Sequence, residues 1–282
     1  MRFVILVKFG LLSLILCYLQ PELSSLNMNR IVFSISLYTF HEAVRNRLFA
    51  MMLIGMICMI GLTEFIGELA ITETKQIQRL LLASGLRIFS VCIVGLFVIT
   101  SMVREFNDKG LEMLLSLPIT RSSYYLGKFT GFVLLSIIIA CAAALVLSIY
   151  SHIVYVMFWL VSLICELLII IALSLLCMFT FSHTTIVFVT VIAFYLLSRS
   201  MSSIQLISNS RILEIKTFSQ EFFNTVLDSI AFVLPALDKF SNSEWLVYGA
   251  DLNQLTIVFI QTIIYLALLM AAGLFDLYRK NF

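Results

Sequence analysis

The chain has 282 residues, of which 61% are hydrophobic and only 12% charged, with a formal net charge of +2. Soluble domains carry about 25% charged residues, so this composition excludes a water-soluble domain and reads as a polytopic membrane protein. So small a net charge, with no basic run and no aromatic residues interleaved with basic ones, also excludes a nucleic-acid partner.

Taken in order, residues 1–27 stand apart. Phe3 to Leu19 is apolar but interrupted by Lys8, is followed by Gln20-Pro21-Glu22, and is short for a membrane span. It reads as an uncleaved leader, as a signal-like segment without a small-x-small cleavage site, or as upstream sequence translated from a start before Met28. From Asn29 to Arg47 the apolar residues Phe33, Leu37, Phe40, Val44 and Leu48 recur at steps of three and four, with Ser34, His41 and Arg45 opposite. That spacing predicts an amphipathic helix. Bearing Arg30, Arg45 and Arg47 directly before a span, it is expected to lie in the headgroup plane as an elbow, the alternative being a plain extension of the first span.

A bilayer core about 30 Å thick asks for about 20 apolar residues per helix. Six stretches meet or approach that length: Leu48 to Ile71, Leu80 to Val103, Phe129 to Tyr150, Val154 to Phe181, Thr184 to Leu197 and Leu255 to Leu277. Only Ser182 and His183 separate the fourth from the fifth, which predicts a hairpin with a tight turn. Six spans put both ends of the mature chain on one side, and the distribution of Lys and Arg weakly favours the cytoplasm for that side.

Between the second and third spans lies a long charged stretch, Arg104 to Lys128. Asn107 and Asp108 suit a helix N-cap, Leu111 to Leu117 suits a two-turn helix, and Pro118 stops it. A short membrane-surface helix results, with Glu105 and Glu112 as acidic points and Leu111, Leu114 and Leu115 as an apolar patch that a groove on a partner could hold. The outer segment, Ser198 to Gln254, is rich in Phe, Leu and Ile. It predicts an amphipathic helix over Glu221 to Val233, ended by Pro235, with Trp245 and Tyr248 at the membrane interface, and is expected to cap the outer mouth.

Ionisable residues inside a membrane are expensive and default to functional suspects. Glu64 and Glu68 share one face of the first span. At about 1.5 Å per residue, Glu64 stands about 24 Å above Leu48, and Arg87 about 25 Å above Arg104 on the antiparallel second span. A Glu64–Arg87 ion pair is therefore expected, structural or in contact with cargo. Glu166, near the middle of the fourth span, is expected to be protonated or paired, in a structural bond or in the translocation path. Met52, Met56 and Met59, with Met51 and Cys58 nearby, present soft sulfur that would suit Cu(I), but without a His-Met or Cys-Cys constellation they read as packing. His41, His152 and His183 are isolated, and no metal site is predicted. All six cysteines sit in apolar runs without a Cys-x-x-Cys pair, so no disulfide is predicted.

Catalytic patterns fail where they can be tested. Gly127-Lys128 is followed by Phe129 and lacks the upstream glycine of a phosphate-binding loop, and neither Gly-x-Ser-x-Gly nor His-Glu-x-x-His occurs. The chain is read as no enzyme by itself, with no catalytic residue and no cofactor of its own.

The Arg104-Glu105 pair followed by Gly-Leu-Glu, Leu-Leu, Pro-Ile-x-Arg and Leu-Gly-Lys resembles the ABC-2 type transporter permeases, and most closely the copper-enzyme-maturation permeases. Glu42 to Arg47, Pro235 to Gly249 and Leu274 to Phe282 are similar to the same family, so the resemblance covers Met28 to Phe282 as a single permease domain. It favours upstream sequence as the reading of residues 1–27. What it implies is an all-α protein with six transmembrane helices, an amphipathic elbow, and a cytoplasmic coupling helix that seats in a groove of a separate ATPase subunit, which binds the ATP. Glu105, Gly110, Glu112, Leu115, Pro118, Arg121, Gly127 and Lys128 take the coupling positions, with Leu114 beside Leu115 filling the groove. The resemblance further implies a homodimer or a heterodimer with a related permease, contacts with membrane lipids, a bacterial inner-membrane location, and export of an unspecified cargo. The alternatives are an ATPase-driven adaptor acting mechanically on an envelope partner, and a passive channel subunit.

Overall fold

The computed structural model describes residues 28–45, 47–69, 74–107, 120–181, 183–209, 229, 234–240 and 252–279. Among these the chain is helical with no strand: α1 Met28–Val44, α2 Arg47–Leu69, α3 Thr74–Asn107, α4 Arg121–Ser148, α5 Ile153–Thr180, α6 Thr184–Asn209, the single turn α7 Leu237–Phe240, and α8 Leu252–Arg279. Six of them, α2 to α6 and α8, are long and apolar enough to cross a membrane. The residues 1–27, the surface helix expected at Leu111 to Leu117, most of Glu221 to Val233, and Trp245 and Tyr248 all lie outside the described residues.

The six spans fall where hydropathy put them, but three helices run past the apolar stretches. α3 begins six residues before Leu80. α4 begins eight before Phe129, where Thr120 accepts a hydrogen bond from the Ser123 backbone N–H at 3.3 Å and so caps the helix. α6 continues beyond Leu197 to Asn209, with the Ser200 hydroxyl folded back on the Leu196 carbonyl at 2.9 Å. Helical hydrogen bonding does not require apolar side chains, so a window that stops at the first charge stops too early. The stretch expected as one surface element, Arg104 to Lys128, is therefore shortened at both ends. Arg104 to Asn107 finish α3, and Arg121 to Lys128 form the first two turns of α4.

α5 stands at the centre, packed against α3, α4, α6 and α8. Its residues Ile169, Ile170, Ile171 and Ala172 are all fully buried, which is why its sequence is apolar on every side. In lipid no hydrophobic force drives helices together, so close packing and interhelical polar contacts must hold them. α2 supplies the first kind of contact to α3, with Met52 and Met56 buried and the Met59 sulfur resting over Gly85.

α1 lies along α4 at backbone range. Gly127 and Gly131, one turn apart on α4, leave the space that α1 fills: a Cβ on Gly127 would stand 2.8 Å from Ile35 Cβ, and one on Gly131 would stand 2.7 Å from Thr39 Cβ and 3.0 Å from the Ser36 carbonyl. The buried face of α1 is Ser36, Thr39 and Ala43, while Phe33 and Leu37 are 66% and 55% exposed. Phe33, Leu37 and Val44 of the apolar stripe that marks α1 in the sequence thus face away from the bundle, Phe40 packs partly against the core, and the small residues face in. Between two helices the small residues carry the contact, because they let backbones approach.

Candidate functional site

The most heavily buried charges of the described residues meet between α3 and α5. Arg87 lies four residues after Ala83 and four before Val91, on the α3 stripe that faces α5, and is 1% exposed. Its Nη1 donates to Glu166 Oε2 at 2.8 Å and to the Phe240 carbonyl at 2.8 Å, with the Ser162 hydroxyl oxygen a weaker contact at 3.3 Å. Ser162 in turn donates its own proton to the Phe240 carbonyl. The guanidinium sits over the Trp159 ring at 5.3 Å, a favourable place for a cation when water is excluded. Ser162 and Glu166 are one helical turn apart on α5, which is how a single face serves both.

The third member of the site comes from α7. Leu237 and Phe240 are fully buried among α5, α6 and α8, so this part of the segment expected as an outer cap folds into the bundle. Phe240 is the last residue of the turn, and its carbonyl is one of those a helix end leaves without an internal partner. Arg87 and Ser162 supply the missing donors.

On the other side of Glu166 stands Arg199 of α6. Its Nη1 donates to the Tyr195 hydroxyl at 2.8 Å and lies 3.9 Å from Glu166 Oε1. One carboxylate is shared by two guanidiniums, tightly by Arg87 and loosely by Arg199. The expected Glu64–Arg87 pair is replaced by this arrangement. Depth along a helix can be counted from sequence, but the direction a side chain takes around the helix depends on which neighbour lies there, and Arg87 points to α5 and not to α2. Glu64 instead accepts a hydrogen bond from the Tyr150 hydroxyl, and Glu68 is exposed one turn further on.

A second cluster marks the end of the bundle where α3 finishes and α4 begins. Lys128 Nζ lies 2.6 Å from Glu105 Oε2, and both side chains are largely buried. Next to them Arg104 pairs with Glu42 of α1, whose Oε1 also accepts from the Ser101 hydroxyl at 3.3 Å. Three helices are tied by two ion pairs, at the two sides of the undescribed residues 108–119. Of the expected coupling positions, Glu105, Arg121, Gly127 and Lys128 are thus placed, and each is engaged within the chain. Gly110, Glu112, Leu114, Leu115 and Pro118 lie outside the described residues.

Arg121 donates to the Leu277 and Tyr278 carbonyls at 2.9 and 3.2 Å, closing the C-terminal end of α8, and the neighbouring Ser122 hydroxyl is 2.9 Å from that of Tyr278. Thr180 at the end of α5 reaches Asp276 from the other side. Both carbonyls accept from one nitrogen, Nη1, carried by a rigid planar guanidinium that the flexible stem and compact ammonium of lysine do not reproduce. Both Arg121→Lys and Arg121→Ala are therefore expected to lower stability, by about 1–2 kcal/mol, read as an earlier thermal midpoint of the detergent-purified protein; retention of the midpoint by the lysine variant would show that charge alone matters there.

Three of these residues were not singled out by their pattern. Arg199 falls by hydropathy in the outer segment, two residues past Leu197, although Phe188, Ile192, Tyr195 and Arg199 recur at helical spacing and carry α6 onward. Ser162 carries no signal in a serine-containing apolar run, and the Phe240 carbonyl carries none at all.

Residues 43–209, more than half of the chain, match the family described as ABC-2 family transporter protein. No curated protein matches the chain.

Proposed function

This chain belongs to the ABC-2 family of transporter proteins, and from that premise we propose that residues 28–282 form one exporting permease domain, moved by a separate ATPase that docks on residues 108–119. The coarser part follows from membership with the six apolar helices: the protein is a multi-pass membrane protein and a permease subunit of an ABC transporter, working with an ABC ATPase subunit. The finer part is our reading. It places both ends of the mature chain in the cytoplasm of a bacterial cell, pairs the chain with a second copy or a related permease, and groups it with the copper-enzyme-maturation permeases.

The observation that carries the coupling reading is the Glu105–Lys128 pair, 2.6 Å across and flanking residues 108–119. A push on that segment would reach α3 and α4 together, and through Arg104 and Glu42 it would reach α1. Glu105 is then a strut inside the permease, and the apolar residues Leu114 and Leu115 are the ones left to fill a partner's groove. ATP-driven closure of the partner would change the packing of α2, α3 and α6 and open a path outward.

The test is co-purification with the candidate ATPase and ATP turnover of the complex. Leu114→Asp with Leu115→Asp should abolish both while the protein still inserts; an unchanged complex with unchanged turnover would remove the coupling assignment. Lys128→Met should destabilise the permease by about 2 kcal/mol, because it strands a mostly buried carboxylate. Reversing the pair, Glu105→Lys with Lys128→Glu, should recover most of that loss in thermal midpoint together with the turnover. If the reversed pair regains stability but not turnover, Glu105 acts on the partner directly.

A further inference from the structure

The end of the bundle that carries residues 108–119 also carries the C-terminal end of α8. Arg121, two residues past that segment, donates to the Leu277 and Tyr278 carbonyls, and the Ser122 hydroxyl is 2.9 Å from that of Tyr278. Whatever grips the segment therefore has the last turn of α8 beside it. Asp276 on that turn is held from the other side by Thr180 of α5.

Two side chains of this turn face outward, Tyr278 at 56% exposure and Arg279, also exposed. A tyrosine near a helix end is ordinarily an anchor in the lipid headgroups, but here it stands too far out. Ser122, its hydroxyl partner, lies seven residues before Phe129, where the apolar stretch of α4 begins, and seven residues of helix rise about 10 Å. The headgroup layer is only about 5–8 Å deep on each side of the hydrocarbon. Tyr278 and Arg279 thus reach the water beyond it, on the side where the docking segment emerges.

Area supplies the second argument. A stable protein–protein interface buries about 800 Å² on each partner, from about 20–30 residues a side, whereas residues 108–119 are twelve. An ATPase that docks on the segment must therefore extend onto its neighbours. On the entry side the charges are engaged within the chain, Arg104 with Glu42 and Glu105 with Lys128. The exit side offers an exposed aromatic ring and a cation, and Tyr and Arg are the residue types that interface hot spots favour.

We propose that the last turn of α8 is the second half of the ATPase docking surface, Tyr278 packing on the rim of the groove that takes Leu114 and Leu115, and Arg279 meeting a carboxylate of the ATPase beside it. This inference rests on the permease reading, which supplies the ATPase, and adds a second point of contact to it. Arg121 makes the segment and the turn one footing. Its hydrogen bonds go to main-chain oxygens, so they hold whatever side chains stand at 277 and 278, which leaves those at 278 and 279 available to the partner. A push on that footing reaches the central helix α5 through Asp276 and Thr180, and along the length over which α8 packs against it.

The experiment uses the full chain with its candidate ATPase in nanodiscs, the photoreactive residue p-benzoylphenylalanine being placed singly at Leu114, Tyr278 or Leu268. Leu268 is 59% exposed on the same helix but ten residues deeper, and serves as the lipid-facing control. On illumination the Leu114 and Tyr278 positions should both capture the ATPase, and Leu268 should not. Capture from Leu114 alone overturns the proposal and leaves the docking segment standing. Capture from Tyr278 alone supports the proposal and removes the segment; capture from neither removes both. Equal capture from Leu268 marks the crosslinks as random and overturns the proposal. In a titration at low salt, Arg279→Glu should weaken ATPase binding about tenfold, with an unchanged thermal midpoint showing the permease still folded; unchanged affinity overturns the proposal as well.

Discussion

Glu166→Leu is expected to destabilise the protein by about 3–5 kcal/mol, the usual consequence of removing one partner of a buried ion pair. The cost arises because the guanidinium left behind remains out of water while its countercharge is gone. The Phe240 carbonyl, the Ser162 hydroxyl and the Trp159 ring stay in contact with Arg87, but dipoles do not neutralise a charge. Glu166 also serves Arg199, so its loss strands two cations. Arg87→Leu strands no full charge, since Arg199 can close on the carboxylate, and it should cost less. Leu at both positions should recover part of the Glu166→Leu loss, leaving the Phe240 carbonyl without its charged donor and Arg199 without its carboxylate. Thermal unfolding of the four proteins in detergent, read by intrinsic fluorescence, checks the order. Equal losses for the two single variants, or no recovery in the double, would mean that the pair is not the main partner of either residue.

Gly131→Val is expected to separate α1 from α4. Any side chain there meets the Ser36 carbonyl, which is backbone and can move only if the whole helix moves. Overpacking a close contact costs about 1–3 kcal/mol, and here the strain falls on one docked helix. The clearest readout is local opening: trypsin cleavage after Arg30, within α1, should accelerate about tenfold for each 1.4 kcal/mol lost, if opening and closing are fast compared with cleavage. Gly127→Ala should have the smaller effect. Its nearest neighbour is the Ile35 side chain, and the Val32 carbonyl is 3.3 Å away against 3.0 Å for the corresponding atom at Gly131. If both variants are cut at the wild-type rate, α1 is held by something other than the two glycines.

Hydropathy reveals the number and order of the spans because a membrane crossing needs a length of apolar chain whatever surrounds it. The short connection between Thr180 and Thr184 was legible for the same reason. What hydropathy does not carry is azimuth. Arg87 was placed at a sensible depth and given the wrong partner, because nothing in the sequence says that α5 and not α2 occupies the space in front of it. The stripe of Phe33 and Leu37 misled in the same way: apolar periodicity marks a face that avoids water, and beside a bilayer that face can turn outward. Glycine spacing at 127 and 131 is the better guide, but only Gly127 belongs to the coupling motif, and Gly131 lies beyond it. Of the coupling positions, those at 105 and 128 could be recognised as ionisable and near one another in the chain, but their mutual burial is a property of where α3 and α4 converge.

What Arg87 grips on α7 is a peptide oxygen. Every residue has one, so the hold does not depend on which amino acid stands at 240. The two sides of the contact are therefore bound by different rules under mutation. On α3 and α5 the guanidinium, hydroxyl and carboxylate cannot be exchanged freely, whereas the loop segment keeps its depth with any apolar side chains that fill the places of Leu237 and Phe240, provided that one helical turn still ends there. Related chains whose segments between α6 and α8 look dissimilar residue by residue can share this anchorage, and its trace would lie in the helices that receive the loop.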